Sequence, residues 1–233
     1  MKPVAIFRHS PIEGPGYFAT FLDNNHIPWQ VIEIDGGEMP PDSIDPYGGL
    51  VFMGGPMSVN DDLPWIESEL ALIRQAVANN LPVLGHCLGG QLISKALGGV
   101  IDQGPAQEIG WGDVTVADNA EARAWFNDLT VFESFHWHGE TFSLPEGATR
   151  ILSSRYCENQ AFAMGIHLGM QCHVEMTEDM VDTWCEFNAT ELARLDGPAV
   201  QTLAAMRINL SKRVRALNIV AISLYNKWIA GLK

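Results

Sequence analysis

Apolar residues in the first hundred positions fall in short blocks separated by stretches of helical period. Pro3–Phe7, Trp29–Ile34, Leu50–Met53 and Leu81–Leu84 read as strands. Tyr17–Asn25 and Leu63–Asn79 place apolar side chains at helical spacing, the second through Ile66, Leu70, Ile73 and Val77, and a further helix from Leu88 to about Leu97 follows the fourth strand directly. Residues 35–49, rich in Gly, Pro and Asp, read as loop. Short apolar strands alternating with helices predict a parallel sheet covered on both faces.

After Gly98 the period changes. Val100–Ile101, Asp113–Ala117, Arg150–Ser153, Ala161–His167 and Met170–His173 read as shorter strands forming a mixed extension of the sheet. From Thr177 the pattern is helical, with Glu178 and Asp179 suited to a first turn. Gly197-Pro198 separates two helices, and the second, about Val200–Ile229, is amphipathic through Leu203, Met206, Leu210, Val214, Leu217 and Leu224. The expected architecture is a three-layer α/β domain with a mostly parallel central sheet over residues 1–190. A helical C-terminal extension, 191–233, packs on the same domain.

Composition narrows the partners. The 233 residues carry a formal net charge of −14, which disfavours nucleic acid and anionic membrane as electrostatic partners. The apolar run of MKPVAIF is too short for a secretory signal, and no stretch approaches the ~18 apolar residues of a membrane span. The four cysteines (87, 157, 172, 185) show no paired spacing, so reduced thiols and a cytoplasmic location are expected.

The candidate chemistry centres on Leu81–Gly90. There a strand turns into a helix at Cys87, with Gly85 and Gly89 two residues to either side. This is the nucleophile-elbow spacing: a side chain on a tight strand-to-helix turn stands clear of the sheet, and its neighbours cannot carry bulk. The helix N-terminus behind it favours a thiolate and an adjacent oxyanion. Downstream, His173 and Glu175 project to one side of an extended segment, as a base and its orienting carboxylate would. Gly54-Gly55-Pro56 ends the third strand and lets backbone N–H groups approach a ligand. His136-Trp137-His138-Gly139-Glu140 has two readings. His136 and His138 could be two metal ligands on one side of a strand, although no third and fourth ligand accompany them in the sequence. Alternatively, the segment is a loop lining a substrate pocket. No phosphate-binding G-x-x-x-x-G-K-[ST] and no G-x-G-x-x-G occurs, and neither a cofactor nor a metal is expected.

Four segments, in this order, resemble class I glutamine amidotransferases. Gly54-Gly55-Pro56 is similar to their oxyanion strand and Gly85-His86-Cys87-Leu88-Gly89-Gly90-Gln91 to their nucleophile motif. Trp137-His138-Gly139-Glu140 is similar to their Ser-His-Gly-Asp loop, and Gln171-x-His173-x-Glu175 to their His-x-Glu ending. Within the family the chain looks most like stand-alone domains related to the amidotransferase half of GMP synthase and like γ-glutamyl peptidases. The resemblance implies a flavodoxin-like fold and a Cys87–His173–Glu175 triad that forms a glutamyl thioester and releases ammonia. It further implies an oxyanion hole from the N–H groups of Gly55 and Leu88, each donor worth ~3–4 kcal/mol. Gln91, Trp137 and His138 would hold the substrate's amino-acid end. Three departures stand out: Val174 where the family has proline, Trp137 for a small serine, and Glu140 for aspartate.

The implied partner is glutamine or a γ-glutamyl small molecule. The ammonia acceptor would sit on a separate synthetase subunit, or the chain would act alone as a γ-glutamyl peptidase. The amphipathic tail is a candidate homo-oligomer contact. A non-catalytic binding module of the same fold, and an α/β-hydrolase-type cysteine enzyme with its acid elsewhere, are the competing readings.

Overall fold

The computed structural model describes residues 1–233. Nine strands form a single sheet. They are β1 (Val4–Arg8), β2 (Trp29–Glu33), β3 (Gly49–Phe52), β4 (Val83–His86), β5 (Ile101–Val116), β6 (Val131–Phe142), β7 (Thr149–Ser154), β8 (Ala161–Met164) and β9 (His167–Met170). Their order across the sheet is β2-β1-β3-β4-β9-β8-β7-β5-β6. The first five run parallel, whereas β9-β8, β8-β7, β7-β5 and β5-β6 are antiparallel pairs. The parallel half has the flavodoxin-like 2-1-3-4-5 order, with β9 in fifth place. In such sheets ligands gather at the carboxyl ends of the strands.

Successive residues of the parallel strands feed two cores. Val4 and Ile6 face one and Ala5 and Phe7 the other, and Val51 and Met53 alternate in the same way with Leu50 and Phe52. This two-sided burial is why the strands read as unbroken apolar runs. Helices α2 (Ile66–Ala78) and α3 (Leu88–Ala96) cover one face. Helices α1 (Gly16–Asn24), α4 (Ala120–Phe126), α5 (Glu178–Phe187) and α8 (Leu210–Ile229) cover the other. There Phe18 of α1 meets the edges of Tyr225 and Trp228 of α8 at 4.7 and 5.7 Å. Two short helices, α6 (Ala189–Leu192) and α7 (Leu203–Arg207), lie between α5 and α8.

Several elements depart from the sequence expectation. The two short strands expected at 100–101 and 113–117 are ends of one long strand, β5, whose register slips between Gln103 and Glu108. The 136–140 segment is strand within β6, hydrogen-bonded to β5, rather than loop. The single helix expected over 200–229 breaks at Ile208 and Asn209, where Asn209 adopts φ 56°, a left-handed conformation that asparagine tolerates. Helix α4 has too short an apolar pattern to be read from sequence; the Asn119 side chain caps it through the Ala122 N–H. Thr177 caps α5 by accepting from Met180 N–H at 3.2 Å.

Candidate active site

Cys87 sits between β4 and α3 with φ 50° and ψ −107°, a conformation costly for a residue with a Cβ. Surrounding packing holds the strain in place. A Cβ on Gly85 would collide with the backbone of Gly89, and one on Gly89 with the carbonyl of Phe52. The small residues of the elbow are therefore dictated by backbone approach. Cys87 N–H donates to Met170 O at 2.8 Å, tying the turn to the end of β9.

Beyond β9 the chain carries His173 and Glu175 to the same place. His173 is pinned by its N–H, which donates to Phe135 O at 2.8 Å. Its Nδ1 lies 2.6 Å from Glu175 Oε1, both side chains being buried. The other carboxylate oxygen, Glu175 Oε2, lies 3.0 Å from His86 Nδ1, so His86, the residue before the elbow cysteine, touches the same acid. Burial opposes charge on both partners. On His173 the Glu175 carboxylate, together with the Cys87 sulfur, outweighs it and holds the imidazole well above its ordinary range. On Glu175, His86 and His173 outweigh it and hold the acid well below its own. His173 Nε2 has no hydrogen-bond partner. The Cys87 thiol instead faces Trp137 O at 3.8 Å and receives Gln171 Nε2 at 3.5 Å. Burial pushes the Cys157 thiol up to about 11 and the Cys172 thiol up to about 12, out of reach of neutral-pH chemistry.

The oxyanion candidates flank the sulfur. Leu88 opens α3, where helix geometry leaves the N–H without an intrahelical acceptor. Gly55 N–H makes no hydrogen bond to backbone, and a Cβ on Gly55 would press against Leu88 at 2.9 Å and His9 at 3.0 Å. His9 braces this loop from the end of β1, with Nδ1 3.1 Å from Met53 O and Nε2 3.0 Å from buried Glu69.

Gly55, Cys87, Gln91, Trp137 and His138 line one cavity of about 400 Å³. Gln91 donates its amide to Gln171 Oε1 at 3.2 Å, and His138 Nδ1 donates to Glu140 O at 3.1 Å. Trp137 stands edge-on to Trp184 at 5.9 Å, and Trp184 stands edge-on to His173 at 4.9 Å. Leu88 and the His173–Glu175 pair lie behind this wall rather than on it.

Sequence reasoning missed the Glu13 carboxylate on the cavity wall. Glu13, from the loop between β1 and α1, lies where a Cβ on Gly54 would be, and desolvation raises its carboxyl to about 7 despite the nearby His173. A loop of Gly and Pro carries no periodic signal that could have singled out Glu13. His9 and Glu69 were missed for a similar reason: each is a single polar residue with no pattern around it.

Comparison with known proteins places this geometry among its relatives. Residues 25–191 match the family model for glutamine amidotransferase class-I. A glutamine amidotransferase-like protein of Salmonella typhimurium is 32% identical over 210 residues, covering 85% of this chain and 87% of that one. Gamma-glutamyl peptidase 3 of Arabidopsis thaliana is 29% identical over 177 residues, 71% of each chain. A glutamine-hydrolyzing GMP synthase subunit from Saccharolobus solfataricus is 29% identical over 148 residues, 62% of this chain and 76% of that one. The crystal structure of a glutamine amido transferase from Methylobacillus flagellatus superposes with a TM-score of 0.98 at 45% identity, covering 100% of this chain and 96% of that one.

Proposed function

Because the chain belongs to the class I glutamine amidotransferase family, we propose that it is a cysteine hydrolase that cleaves the γ-amide of glutamine or of a γ-glutamyl compound. The observation that carries this reading is one cavity lined by Cys87, on its strained turn, and by Gly55, with Leu88 and the His173–Glu175 pair directly behind them.

Cys87 Sγ attacks the γ-carbonyl carbon, and His173 Nε2 takes the thiol proton. Glu175 fixes the ring through Nδ1 and stabilises the imidazolium that forms. The carbonyl oxygen becomes an oxyanion held by Gly55 and Leu88 N–H. His173 then protonates the leaving nitrogen, and ammonia or an amine departs to leave a γ-glutamyl thioester. Water, deprotonated by His173, releases glutamate and regenerates the thiol. Gln91, Trp137 and His138 orient the glutamyl group, and the Glu13 carboxylate faces its α-ammonium.

The cavity supports a substrate larger than glutamine itself. Its ~400 Å³ lies in the range that encloses drug-sized ligands, and Trp137 adds an aromatic wall where the family has serine. These two features favour a γ-glutamyl peptide or amide cleaved by the chain acting alone. The likeness to a GMP synthase subunit supports the other form, with ammonia passed to a synthetase on a separate polypeptide. The test is an assay of the purified chain on glutamine and on γ-glutamyl dipeptides. Faster cleavage of the dipeptides supports the peptidase form. Ammonia release only on addition of a synthetase supports the partner-dependent form. No hydrolysis of either, with or without a synthetase, overturns the enzyme reading in favour of a binding module.

A further inference from the structure

Beside the cavity lies a second cluster of buried polar side chains, whose interior the hydrolase chemistry leaves unused. His136 and His138 alternate on β6 and so share a face. Glu108 pairs in register with His138 from β5, and Gln160 reaches in from the residue before β8. All four are buried, and the ligand-type atoms of Glu108, His136 and His138 lie within 4.8 Å of one another. We propose that Glu108, His136 and His138, with the amide oxygen of Gln160, form a binding site for a divalent transition-metal ion of the zinc class.

The hydrogen bonds around the cluster already prepare its lone pairs. His138 Nδ1 faces the Glu140 carbonyl at 3.1 Å and His136 Nε2 faces the Gly112 carbonyl at 3.3 Å. A carbonyl can only accept, so each neutral imidazole spends its one N–H outward and directs a bare nitrogen inward, at His136 Nδ1 and at His138 Nε2, which lies 3.3 Å from Glu108 Oε2. Glu108 is held the same way: Ser154 Oγ donates to its Oε1 at 2.7 Å, which leaves Oε2 facing the centre. Ligating histidines and carboxylates in metal sites carry this outer shell of partners.

The centre itself has too many acceptors for the protons available. The Gln160 amide nitrogen lies 2.7 Å from Glu108 Oε2, 3.2 Å from Ser154 Oγ, 3.3 Å from His136 Nδ1 and 3.4 Å from His138 Nε2. Its two hydrogens cannot serve four acceptors, and a cation supplies the missing positive charge to all of them. Gln160 Oε1, meanwhile, is buried with no partner. Turning the amide over gives up the Nε2–Glu108 hydrogen bond, whose place the ion takes, and presents that oxygen to the centre as a fourth ligand. Two imidazoles with carboxylate and amide oxygens suit zinc-class ions rather than magnesium or calcium, which take oxygen-only shells. A second cavity of about 350 Å³, lined by Glu108 and His136, gives the ion a way in. Trp137, between the two histidines, carries the carbonyl that faces Cys87. A bound ion would therefore fasten β5, β6 and the Gln160 segment into one wall of the substrate cavity.

The test is metal uptake by the full chain after dialysis against a chelator, with Zn²⁺ measured by elemental analysis and calorimetry and Co²⁺ as the spectroscopic probe. The chain should take up one equivalent, with the visible bands of a four-coordinate nitrogen–oxygen cobalt site and a rise in Tm. Cys87→Ala should bind equally well, whereas Glu108→Gln and His136→Gln should each weaken binding by at least 100-fold. Glu108→Gln keeps the shape of the side chain and removes its charge, so circular dichroism matching wild type separates lost ligation from lost folding. No uptake by the wild-type chain would make the cluster a hydrogen-bonded network only. Uptake lost in Cys87→Ala, or undiminished in both ligand variants, would put the ion elsewhere. Either result overturns the proposal. None of these readouts involves hydrolysis, so failure here leaves the hydrolase reading untouched.

Discussion

Trp184 stands over His173 with ring planes at 89° and centroids 4.9 Å apart, and its indole N–H donates to the Ile12 carbonyl at 2.8 Å. The tryptophan comes from α5, beyond the last motif, and the histidine it props comes from the segment after β9. Helix α5 thus completes the wall behind the candidate Cys87–His173–Glu175 group.

Trp184→Ala should lower kcat about 10–100-fold, the scale set by ångström-sized misplacement of a catalytic group. Trp184→Phe keeps a ring over His173 and should retain activity within a few-fold. Steady-state kinetics of γ-glutamyl amide hydrolysis checks both. Full activity in Trp184→Ala would show that His173 is positioned by Glu175 and the Phe135 hydrogen bond alone.

Glu175→Gln should cost about 10²–10⁴ in kcat, the usual reach of general acid–base catalysis. It should also change the pH dependence of stability. The depressed Glu175 contributes stability that is present above its unfolded value of 4.5 and fades as pH falls through the lower folded value. The raised His173 contributes stability that is complete below 6.5 and fades as pH rises through the higher folded value. Urea titrations across pH should therefore show the largest gap between wild type and Glu175→Gln from about pH 4.5 to 6.5, narrowing on both sides.

Glu13 shifts the opposite way. Its folded value of about 7 lies above the unfolded 4.5, so the folded state holds the extra proton and loses stability as pH rises through that window. Glu13→Gln should flatten this fall. In steady-state kinetics the same substitution should raise KM for substrates with a free α-amino group, with less effect on kcat, and remove an inflection near pH 7 from kcat/KM. An unchanged KM would remove Glu13 from substrate recognition.

Gly89→Ala should destabilise the chain by about 1–3 kcal/mol, the cost of overpacking, because its methyl would enter the space of the Phe52 carbonyl. At this chain length each kcal/mol shifts Tm by about 2–4 °C in thermal denaturation. Gly98→Ala meets no atom within 4 Å but needs φ +93°, so its cost there is backbone strain alone.

The parallel half of the fold was legible because burial on both faces leaves unbroken apolar runs such as Val4–Phe7 and Leu50–Phe52. The antiparallel half was harder. β5 is interrupted by the polar, slipped segment 103–108, so its two ends read as separate strands. The elbow at Cys87 was legible because packing at Gly85 and Gly89 forbids side chains and so leaves a spacing in the sequence. Glu13 and His9 approach the same cavity from a loop and a strand end, where position is set by topology and no period records it. Glu108 and Gln160 were hidden for a related reason. Strand pairing brings Glu108 and side-chain reach brings Gln160 to the two histidines from 28 and 24 residues away along the chain, as in Glu108 to His136 and His136 to Gln160.

Rapid quenching of the reaction with a γ-glutamyl amide, followed by intact-protein mass measurement and peptide mapping, tests the central claim most directly. The account predicts a transient adduct of one γ-glutamyl group on Cys87, longer-lived in Glu175→Gln and absent in Cys87→Ala together with all hydrolysis. Turnover at the wild-type rate in Cys87→Ala, or an adduct on any other residue, would contradict it.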